Sequence, residues 1–300
     1  MKKRRMVFLC MLCLIAGLCC ACKNTDDISN NTAVTEALSS EERGDGPVLP
    51  EATATPSPKP SPTDLPTATP TVAPTPIPED DGLWENNADI SWIDPSKPMI
   101  AFTFDDGPVG TADTATSIRI QNALAASGQH ATFFYWGNSL NNLNAAEIKR
   151  AYDLGFEIGN HTSTHQDLSK LTAEKILTEV NTQAEKLSAI TGLTNFLIRP
   201  PYLATNTTVR LTVPAPLINC SIDSKDWAGA SAEDIITTIN TQKKDGAIVL
   251  MHETSSATAS AMEILIPQLV AEGWQIVSVS ELFKAKGQEM WDGMVYNNAK

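Results

Sequence analysis

The sequence predicts an α/β fold in which parallel strands form a sheet or a barrel, and three observations support this prediction. Apolar runs of strand length alternate with segments of helical periodicity between residues 85 and 300. Polar side chains follow five of these runs, and in βα barrels the carboxyl ends of the strands form the active face. A segment of this length can also bury one sizeable core.

Seven apolar runs predict strands, at residues 99–104, 131–134, 156–158, 195–198, 217–222, 247–250 and 275–279. The segments between them predict helices, at residues 113–127, 144–154, 172–191, 232–244 and 258–272. Only residues 204–214 are less regular. The alternation of the two element types is typical of a parallel sheet or barrel.

Residues 1–22 predict a secretory signal. Four basic residues are followed by an apolar stretch at residues 6–18, which is short for a membrane span of about 20 residues. The end of this segment, residues 18–22, resembles a bacterial lipoprotein processing site, which makes Cys22 the expected lipidated residue. Cys19 or Cys20 is the alternative acceptor, and an uncleaved N-terminal anchor is the alternative to cleavage.

Residues 23–84 predict a disordered Thr/Pro-rich linker, with eleven prolines between Pro47 and Pro78. Because such tracts extend by about 3.1 Å per residue, the linker fits a tether that spans a cell wall, although a tail without that role has the same composition. The formal net charge of −13 argues against a nucleic-acid partner.

Cysteine usage fits an exported protein without disulfides in its folded domain, because only Cys220 lies beyond the first 22 residues. Cys220 falls in an apolar run and is expected to be a buried thiol without a catalytic role. His130 precedes the second predicted strand and is expected to be structural.

Five polar segments follow five different predicted strands, at residues 103–108, 161–165, 199–202, 223–227 and 250–252. Together they resemble the five motifs of the polysaccharide deacetylase family, the NodB-homology domains or family 4 carbohydrate esterases. Any one segment alone is a weak signal, since paired aspartates and HxxxH spacings are common. The resemblance covers roughly residues 90–285 and implies a distorted (β/α)7 barrel.

A hydrolytic metal site is the chemistry that these residue types favour. Two imidazoles and one carboxylate leave positions open on a zinc-like ion, as in catalytic sites. The expected ligands are Asp106, His161 and His165, with Zn²⁺ or another divalent ion such as Co²⁺ as cofactor. If residues 161–165 enter a helical turn, both imidazoles share one face. The alternative is a pair of surface histidines that stabilise a turn.

The resemblance also implies the catalytic roles. Asp105 is the expected general base and Arg199 holds its carboxylate. His252 is the expected general acid, and Asp226 fixes its tautomer. The alternatives are an ordinary surface arginine and a core histidine.

The substrate contacts implied by the resemblance are an oxyanion donor at the Tyr202 backbone N–H and an apolar slot for the acetyl methyl group formed by Trp227 and Leu250. Tyr135 and Trp136 are expected to add a sugar-stacking wall. Leu203 stands where the family commonly has glycine, and leucine does not adopt a positive φ cheaply. We expect any effect of Leu203 on the cleft to change substrate preference more than the chemical step.

These observations predict an exported enzyme, lipid-anchored at the cell membrane and facing the cell wall. The resemblance implies that it removes N-acetyl groups from polysaccharide that contains N-acetylglucosamine. The expected lipid anchor and long spacer make peptidoglycan the first expected substrate. The alternatives are a deacetylase of chitooligosaccharides and an O-acetyl esterase of acetylated xylan. A noncatalytic glycan-binding module belongs to a different class, and it would be expected to lack ligands or proton carriers.

Overall fold

The structure is a computed structural model that describes residues 82–141 and 144–300. The predicted signal segment, Cys22 and nearly all of the predicted linker lie outside these residues. At the start of the described chain, Leu83 forms an antiparallel bridge with Trp291, and the Trp84 amide donates to the Met290 carbonyl at 2.9 Å. Contacts with the domain therefore begin slightly before residue 85.

The described residues contain eight strands: β1 Met99–Gly107, β2 Thr132–Tyr135, β3 Glu157–Asn160, β4 Leu217–Ile218, β5 Ile222–Asp223, β6 Ala247–His252, β7 Gln275–Val277 and β8 Val295–Tyr296. Six of them form one parallel sheet in the order β3-β2-β1-β6-β5, and β7 pairs with the first residues of β1. β4 and β8 form a separate parallel pair. The predicted α/β fold with a parallel sheet is confirmed.

Two predicted strands differ from the observed ones. Within residues 195–198 only Ile198 pairs, through isolated bridges to Asn160 and Leu217. The run 217–222 is divided into β4 and β5 because its two halves have different neighbours: Asn219 donates to Tyr296 at 2.8 Å, whereas Ser221 donates to Ile248 at 3.0 Å. Both segments are apolar and partly buried, and burial is the property that a hydrophobic run reports.

The helices are α1 Thr116–Ala126, α2 Ala145–Asp153, α3 Ala173–Thr191, α4 Thr207–Thr212, α5 Ala232–Gln242, α6 Ser256–Ala271 and α7 Val279–Ala285. The five predicted helices are present, with ends shifted by a few residues. The short helices α4 and α7 were not predicted. α7 begins with a capping box between Ser278 and Glu281. No helix in the described part of the chain is long and apolar enough to cross a lipid bilayer.

The core lies on both faces of the central strand β1. Ile100, Phe102 and Phe104 pack in the cluster that also contains apolar residues of α1, α5 and α6, whereas Met99 and Ala101 pack in a second cluster. Successive side chains of a strand point to opposite faces, so residues 99–102 of β1 are all apolar because both faces are covered. His130, which was expected to be structural, has its Nδ1 2.6 Å from Glu281 Oε1.

The register of the sheet brings the carboxyl ends of its strands together. Asp105 on β1 is aligned with His252 on β6 and with Phe134 on β2. One residue further along, Tyr135 is aligned with Asn160, which directly precedes His161. Residues that are far apart in the sequence therefore meet at one edge of the sheet.

Candidate active site

A cavity of about 370 Å³ opens at this edge of the sheet. Residues from all five polar segments line it: Asp105, Asp106, His161, His165, Pro200, Tyr202, Leu203, Asp223, Trp227, Leu250 and His252. Two predicted site residues, Arg199 and Asp226, are buried behind the cavity wall and hold side chains that line it. Every residue of the described chain that was predicted as a metal ligand, a catalytic group or an acetyl contact thus lies in the cavity or against it.

A bulge in β1 turns two consecutive carboxylates toward the cavity. The register with β2 shifts between Asp105 and Gly107, and Asp106 has a φ of 71°. In a regular strand neighbouring side chains face opposite ways, but an extra residue in a left-handed conformation breaks that alternation. Asp105 and Asp106 therefore both line the cavity.

His161 and His165 converge through an irregular turn after β3, and the expectation of a helical turn was wrong. The residues between them do not form a helix, and Thr162 and His165 have φ values of 68° and 58°. The turn is held by the Asn160 side chain, which accepts from the Thr162 amide at 2.8 Å. The two imidazole rings lie 4.8 Å apart, between centroids.

Asp106, His161 and His165 form a group that fits one metal ion. Their ligand atoms lie within 4.8 Å of one another. Asp106 Oδ1 is 3.5 Å from His161 Nε2 and 3.4 Å from His165 Nε2. Tetrahedral ligands about 2.1 Å from a zinc ion would be separated by about 3.4 Å, which matches these distances. Asp106 Oδ1 is also buried without a hydrogen-bond partner, as expected of an oxygen that binds a cation.

His161 is prepared as a neutral ligand. Burial lowers the pKa of His161 to about 3, against the opposing effect of the Asp106 charge. Its Nδ1 lies 2.7 Å from the Arg199 carbonyl oxygen, and a carbonyl can only accept. Nδ1 therefore carries the proton, and the lone pair of Nε2 is available to a metal ion held together with Asp106 and His165.

Asp105 is a buried carboxylate with one fixed partner. Arg199 Nη1 donates to Asp105 Oδ1 at 2.8 Å, and neither side chain is more than 3% exposed. Burial raises the pKa of Asp105, and the Arg199 charge opposes that increase. The guanidinium is itself held by Thr103 Oγ1 at 2.5 Å and by the carbonyls of Ile218 and Asn219, each at 3.2 Å. The carboxylate is thus oriented while its second oxygen stays on the cavity side, 3.8 Å from His161 Nε2.

His252 and Asp226 form a second charged pair. His252 Nδ1 lies 2.8 Å from Asp226 Oδ1, and the His252 amide donates to Asp226 Oδ2 at 2.7 Å. Burial acts in the opposite direction, but this pairing and the nearby aspartates raise the pKa of His252 to about 9. The same pairing outweighs burial and lowers the pKa of Asp226. His252 Nε2 is left to face Asp106 Oδ2 at 4.0 Å.

The remaining predicted contacts form the rim. Tyr202 and Trp227 are 71% and 62% exposed, while Leu250 lies at the base of the cavity and is buried. Tyr202 and Leu203 have φ values of 59° and 56°, so Leu203 adopts the left-handed conformation in which the family commonly has glycine. That conformation costs leucine roughly 1–2 kcal/mol. Leu203 also lines the cavity.

The prediction that Tyr135 contributes to a sugar-stacking wall was wrong. Its ring is fully buried against Phe133, with 6.1 Å between centroids, because Tyr135 is the last residue of a strand covered on both faces. Trp136 instead packs against His165 at 5.4 Å.

The sequence reasoning also missed three supporting side chains. Thr103 holds Arg199, Thr258 Oγ1 donates to Asp226 Oδ2 at 2.6 Å, and Asp223 accepts from the Trp227 indole N–H at 3.2 Å. Asp223 and Thr103 lie inside the motif segments, so the signal was present there, whereas Thr258 had none.

The fold and the site together define a hydrolase with an α/β fold, in which a candidate metal group lies between the buried Asp105 carboxylate and the His252 imidazole. The family model described as polysaccharide deacetylase matches residues 93–214. A bifunctional xylanase/deacetylase of Pseudobutyrivibrio xylanivorans is 32% identical over 64% of this chain and 31% of its own length. The peptidoglycan-N-acetylmuramic acid deacetylase PdaC of Bacillus subtilis is 31% identical over 65% of this chain and 41% of its own length. The chain thus spans well under half of the length of these two relatives.

A peptidoglycan-N-acetylglucosamine deacetylase of Bacillus cereus is 31% identical over 66% of this chain and 94% of its own length. Among solved structures, a T48 deacetylase with substrate is 30% identical, with a TM-score of 0.63, over 68% of this chain and all of that one. A family 4 acetyl xylan esterase from Clostridium thermocellum, in complex with a cobalt ion, is 29% identical with a TM-score of 0.62, over 67% and 98%. The chain belongs to the polysaccharide deacetylase family, and the resemblance read from the motifs is confirmed.

Proposed function

We propose that this protein is a metal-dependent hydrolase that removes N-acetyl groups from a polysaccharide containing N-acetylglucosamine, with peptidoglycan as the preferred substrate. The observation that carries the proposal is the arrangement of the cavity. Asp105 and His252 lie on neighbouring strands beside the group formed by Asp106, His161 and His165. A base, an acid and a candidate metal group therefore face one space.

Hydrolysis of an acetamide requires a proton acceptor for the attacking water and a proton donor for the departing nitrogen. Asp105 is the proposed acceptor, because burial strengthens its basicity while Arg199 fixes its orientation. His252 is the proposed donor, because its raised pKa keeps a proton on the imidazole at neutral pH. Asp226 accepts a hydrogen bond from Nδ1–H, so the proton available for donation is on Nε2, which faces the cavity.

The proposed ligands Asp106, His161 and His165 would hold Zn²⁺ or a similar divalent ion such as Co²⁺. Such an ion, when bound, supplies electrophilic activation of the acetyl group and of water. The donor set fits it: imidazoles suit zinc and cobalt, and the Asp106 oxygen has no other partner. The cobalt-containing relative supports this choice.

The acetyl group would enter the cavity between the two exposed rings at its rim. Trp227 and Leu250 are proposed to contact the methyl group, and the Tyr202 backbone N–H is proposed to donate to the developing oxyanion. Leu203 lines the same space and is proposed to influence substrate preference.

Peptidoglycan is preferred because several of the similar proteins are named peptidoglycan deacetylases. A chitin-like glycan is a further candidate partner. Removal of O-acetyl groups from xylan is a second candidate, since two similar proteins are named for xylan or xylanase-linked deacetylation. The proposed location is outside the cell, with a lipid on Cys22 or an uncleaved signal as the membrane anchor. That location rests on the sequence of residues 1–84.

Acetate release tests the proposal. The full chain is incubated with peptidoglycan, chitooligosaccharides and acetylated xylan, with and without chelator, and after metal is restored. We expect release from at least one amide substrate, loss of release with chelator, and recovery with Zn²⁺ or Co²⁺. Binding to glycans without release from any of the three would instead identify a noncatalytic binding module.

A further inference from the structure

A second cluster of buried polar atoms lies behind the active-site loop. Eight buried side-chain atoms of the described residues lack a hydrogen-bond partner, and one of these, Asp106 Oδ1, belongs to the candidate metal group. Five others belong to four residues that are all fully buried. They are Gln121 Nε2, Tyr135 Oη, Glu147 Oε1 and both carboxylate oxygens of Glu253. Buried polar atoms almost always have partners, so this concentration calls for an occupant.

The four side chains come from four parts of the chain, and two of them, Glu253 and Tyr135, lie against Gly107. Glu253 follows β6, Tyr135 ends β2, Gln121 lies on α1 and Glu147 on α2. A Cβ placed on Gly107 would lie 1.2 Å from Glu253 Oε1 and 2.9 Å from Tyr135 Cε1. Glycine at this position therefore leaves the space that the Glu253 carboxylate fills, next to the tyrosine ring.

Glu147 and Gln121 complete the cluster. Glu147 Oε2 accepts from the Val109 and Gly110 amides at 2.9 and 2.5 Å, whereas Oε1 is unpartnered. Gln121 lies close enough to the Tyr135 hydroxyl to affect its pKa, yet no well-formed hydrogen bond joins them. Arg150 binds the Gln121 carbonyl oxygen at 2.5 Å and not a glutamate.

No positive charge balances the two glutamates. Among residues 82–141 and 144–300, neither Glu147 nor Glu253 takes part in an ion pair. Without a cation beside them, burial raises the pKa of Glu147 to about 7, and burial together with the Glu147 charge raises that of Glu253 well above its ordinary value. Two ionised carboxylates that are removed from water without a cation beside them are strongly unfavourable.

We propose that this cluster binds a second cation, a hard divalent ion of the Ca²⁺ type, through the carboxylates of Glu253 and Glu147 and the hydroxyl of Tyr135. These residues present only oxygen ligands, which hard cations prefer, and two carboxylates match a charge of two. The site is separate from the imidazole-containing group, whose ligands suit transition metals. The inference does not depend on the activity proposed above.

The bound cation would fix the loop that carries the active-site carboxylates. Glu147 holds the loop at Val109 and Gly110, and the Glu253 amide donates to the Asp105 carbonyl at 3.1 Å. A cation joining the two glutamates therefore ties both ends of segment 105–110 to α2 and β6. Its role is structural: it supports residues that face the cavity and touches no reacting atom.

Calcium binding to the full chain tests this assignment. The protein is first loaded with about one equivalent of Zn²⁺, so that the imidazole site is filled. Equilibrium dialysis with radioactive CaCl2 then measures bound calcium, and thermal unfolding measures Tm with and without CaCl2 at constant ionic strength. We expect about one Ca²⁺ per chain. At a hundredfold excess over Kd, Tm should rise by roughly 5–10 °C.

Three variants of the zinc-loaded protein decide the outcome. Glu253→Gln and Glu147→Gln preserve side-chain shape and should each abolish calcium binding and the rise in Tm. Glu185→Gln removes a carboxylate from the exposed face of α3 and should change neither. The two glutamate variants are independent, so failure of one to fold leaves the other as the test.

The assignment is overturned if the zinc-loaded wild type binds no calcium, since the glutamates are then held neutral by protons. It is also overturned if binding survives both substitutions, or if Tm responds to NaCl or KCl but not to CaCl2. Acetate release is measured separately, so an inactive protein that binds calcium at this cluster would reject the proposed function alone.

Discussion

The cavity has two halves, one centred on His161 and one on His252, and the partner of Nδ1 differs between them. In the His161 half the partner is the Arg199 carbonyl, and burial lowers the pKa to about 3. In the His252 half the partner is the Asp226 carboxylate, and the pKa rises to about 9. Two side chains of the same type thus differ in protonation: His161 is neutral and suited to bind a metal, whereas His252 is protonated and suited to donate a proton.

The comparison teaches that the neighbour of the distal ring nitrogen determines what a histidine can do. A carbonyl oxygen fixes the tautomer without adding charge, whereas a carboxylate also stabilises the imidazolium. The two rings lie at the ends of different strands, and each partner comes from a different motif segment. Each of the following predictions tests one half against the other.

The largest effect is expected when His161 and His252 are each replaced by alanine in separate variants. His161→Ala should lose bound metal and reduce acetate release by roughly 10³-fold or more, because it removes a ligand. His252→Ala should reduce release but retain the metal. Metal content by elemental analysis and activity on the same samples separate the two. Retention of metal by His161→Ala would contradict the ligand assignment.

Asp105→Asn should reduce kcat by roughly 10²–10⁴-fold, because the proton acceptor is lost while the shape is kept. The bound metal should remain, since Asp105 is not a proposed ligand. Elemental analysis and acetate release measure both. Full activity in this variant would overturn the assignment of the base alone, and loss of metal would move Asp105 into the ligand half.

Asp226→Asn should lower the pKa of His252 from about 9 toward its ordinary value. Because the proposed acid works only when protonated, activity falls as pH rises through that pKa, and the variant should lose activity at a lower pH than the wild type. The pH dependence of kcat measures the shift. Thr258→Val removes one hydrogen bond to Asp226 but keeps its charge, so its shift should be smaller.

We also expect the pair formed by Asp226 and His252 to contribute to the free energy of unfolding. The folded pKa of His252 lies above the value expected in the unfolded chain, about 6.5. Its contribution is therefore complete below about pH 6.5 and is lost as pH rises through about 9. Chemical denaturation of wild type and Asp226→Asn at pH 6 and pH 10 checks this. An equal difference between the two proteins at both pH values would contradict it.

The smallest effect concerns the backbone, since most strained residues lie in the His161 half. Leu203→Gly should raise the free energy of unfolding by up to about 1 kcal/mol, because glycine accepts the left-handed conformation. Leu203→Ala is the matched control: it removes the same side-chain contacts but keeps the strain. Denaturation of both variants checks the prediction. Equal stabilities would mean that the φ of 56° costs little.

Much of the fold could be predicted because burial leaves a clear hydrophobic pattern. β1, β2, β6 and the five longer helices were found from periodicity alone. The pairing between strands could not be predicted in the same way. Residues 195–198 have the hydrophobic pattern of a strand but pair only at Ile198. A single run also concealed the division between β4 and β5, because hydrophobicity does not say which neighbour a residue faces.

The residue types of the site could be read from the motifs, but their geometry could not. The bulge at Asp106 and the positive φ values of Thr162 and His165 arise from tertiary packing around the cavity. Tyr135 was misplaced because a residue after a strand and the last residue of a strand look alike in sequence. The Glu147 and Glu253 cluster was missed because α2 and β6 meet there only in three dimensions.

The contacts of Arg199 link the orientation of the site to the folding of the chain. Its guanidinium binds Thr103 and Asp105 on one side and the Ile218 and Asn219 carbonyls on the other. It therefore joins β1 to residues 218–219, which are distant from β1 in the sequence. A molecule in which Arg199 has not made these contacts lacks an oriented Asp105 carboxylate, so the proposed acetate release would report whether folding around Arg199 is complete.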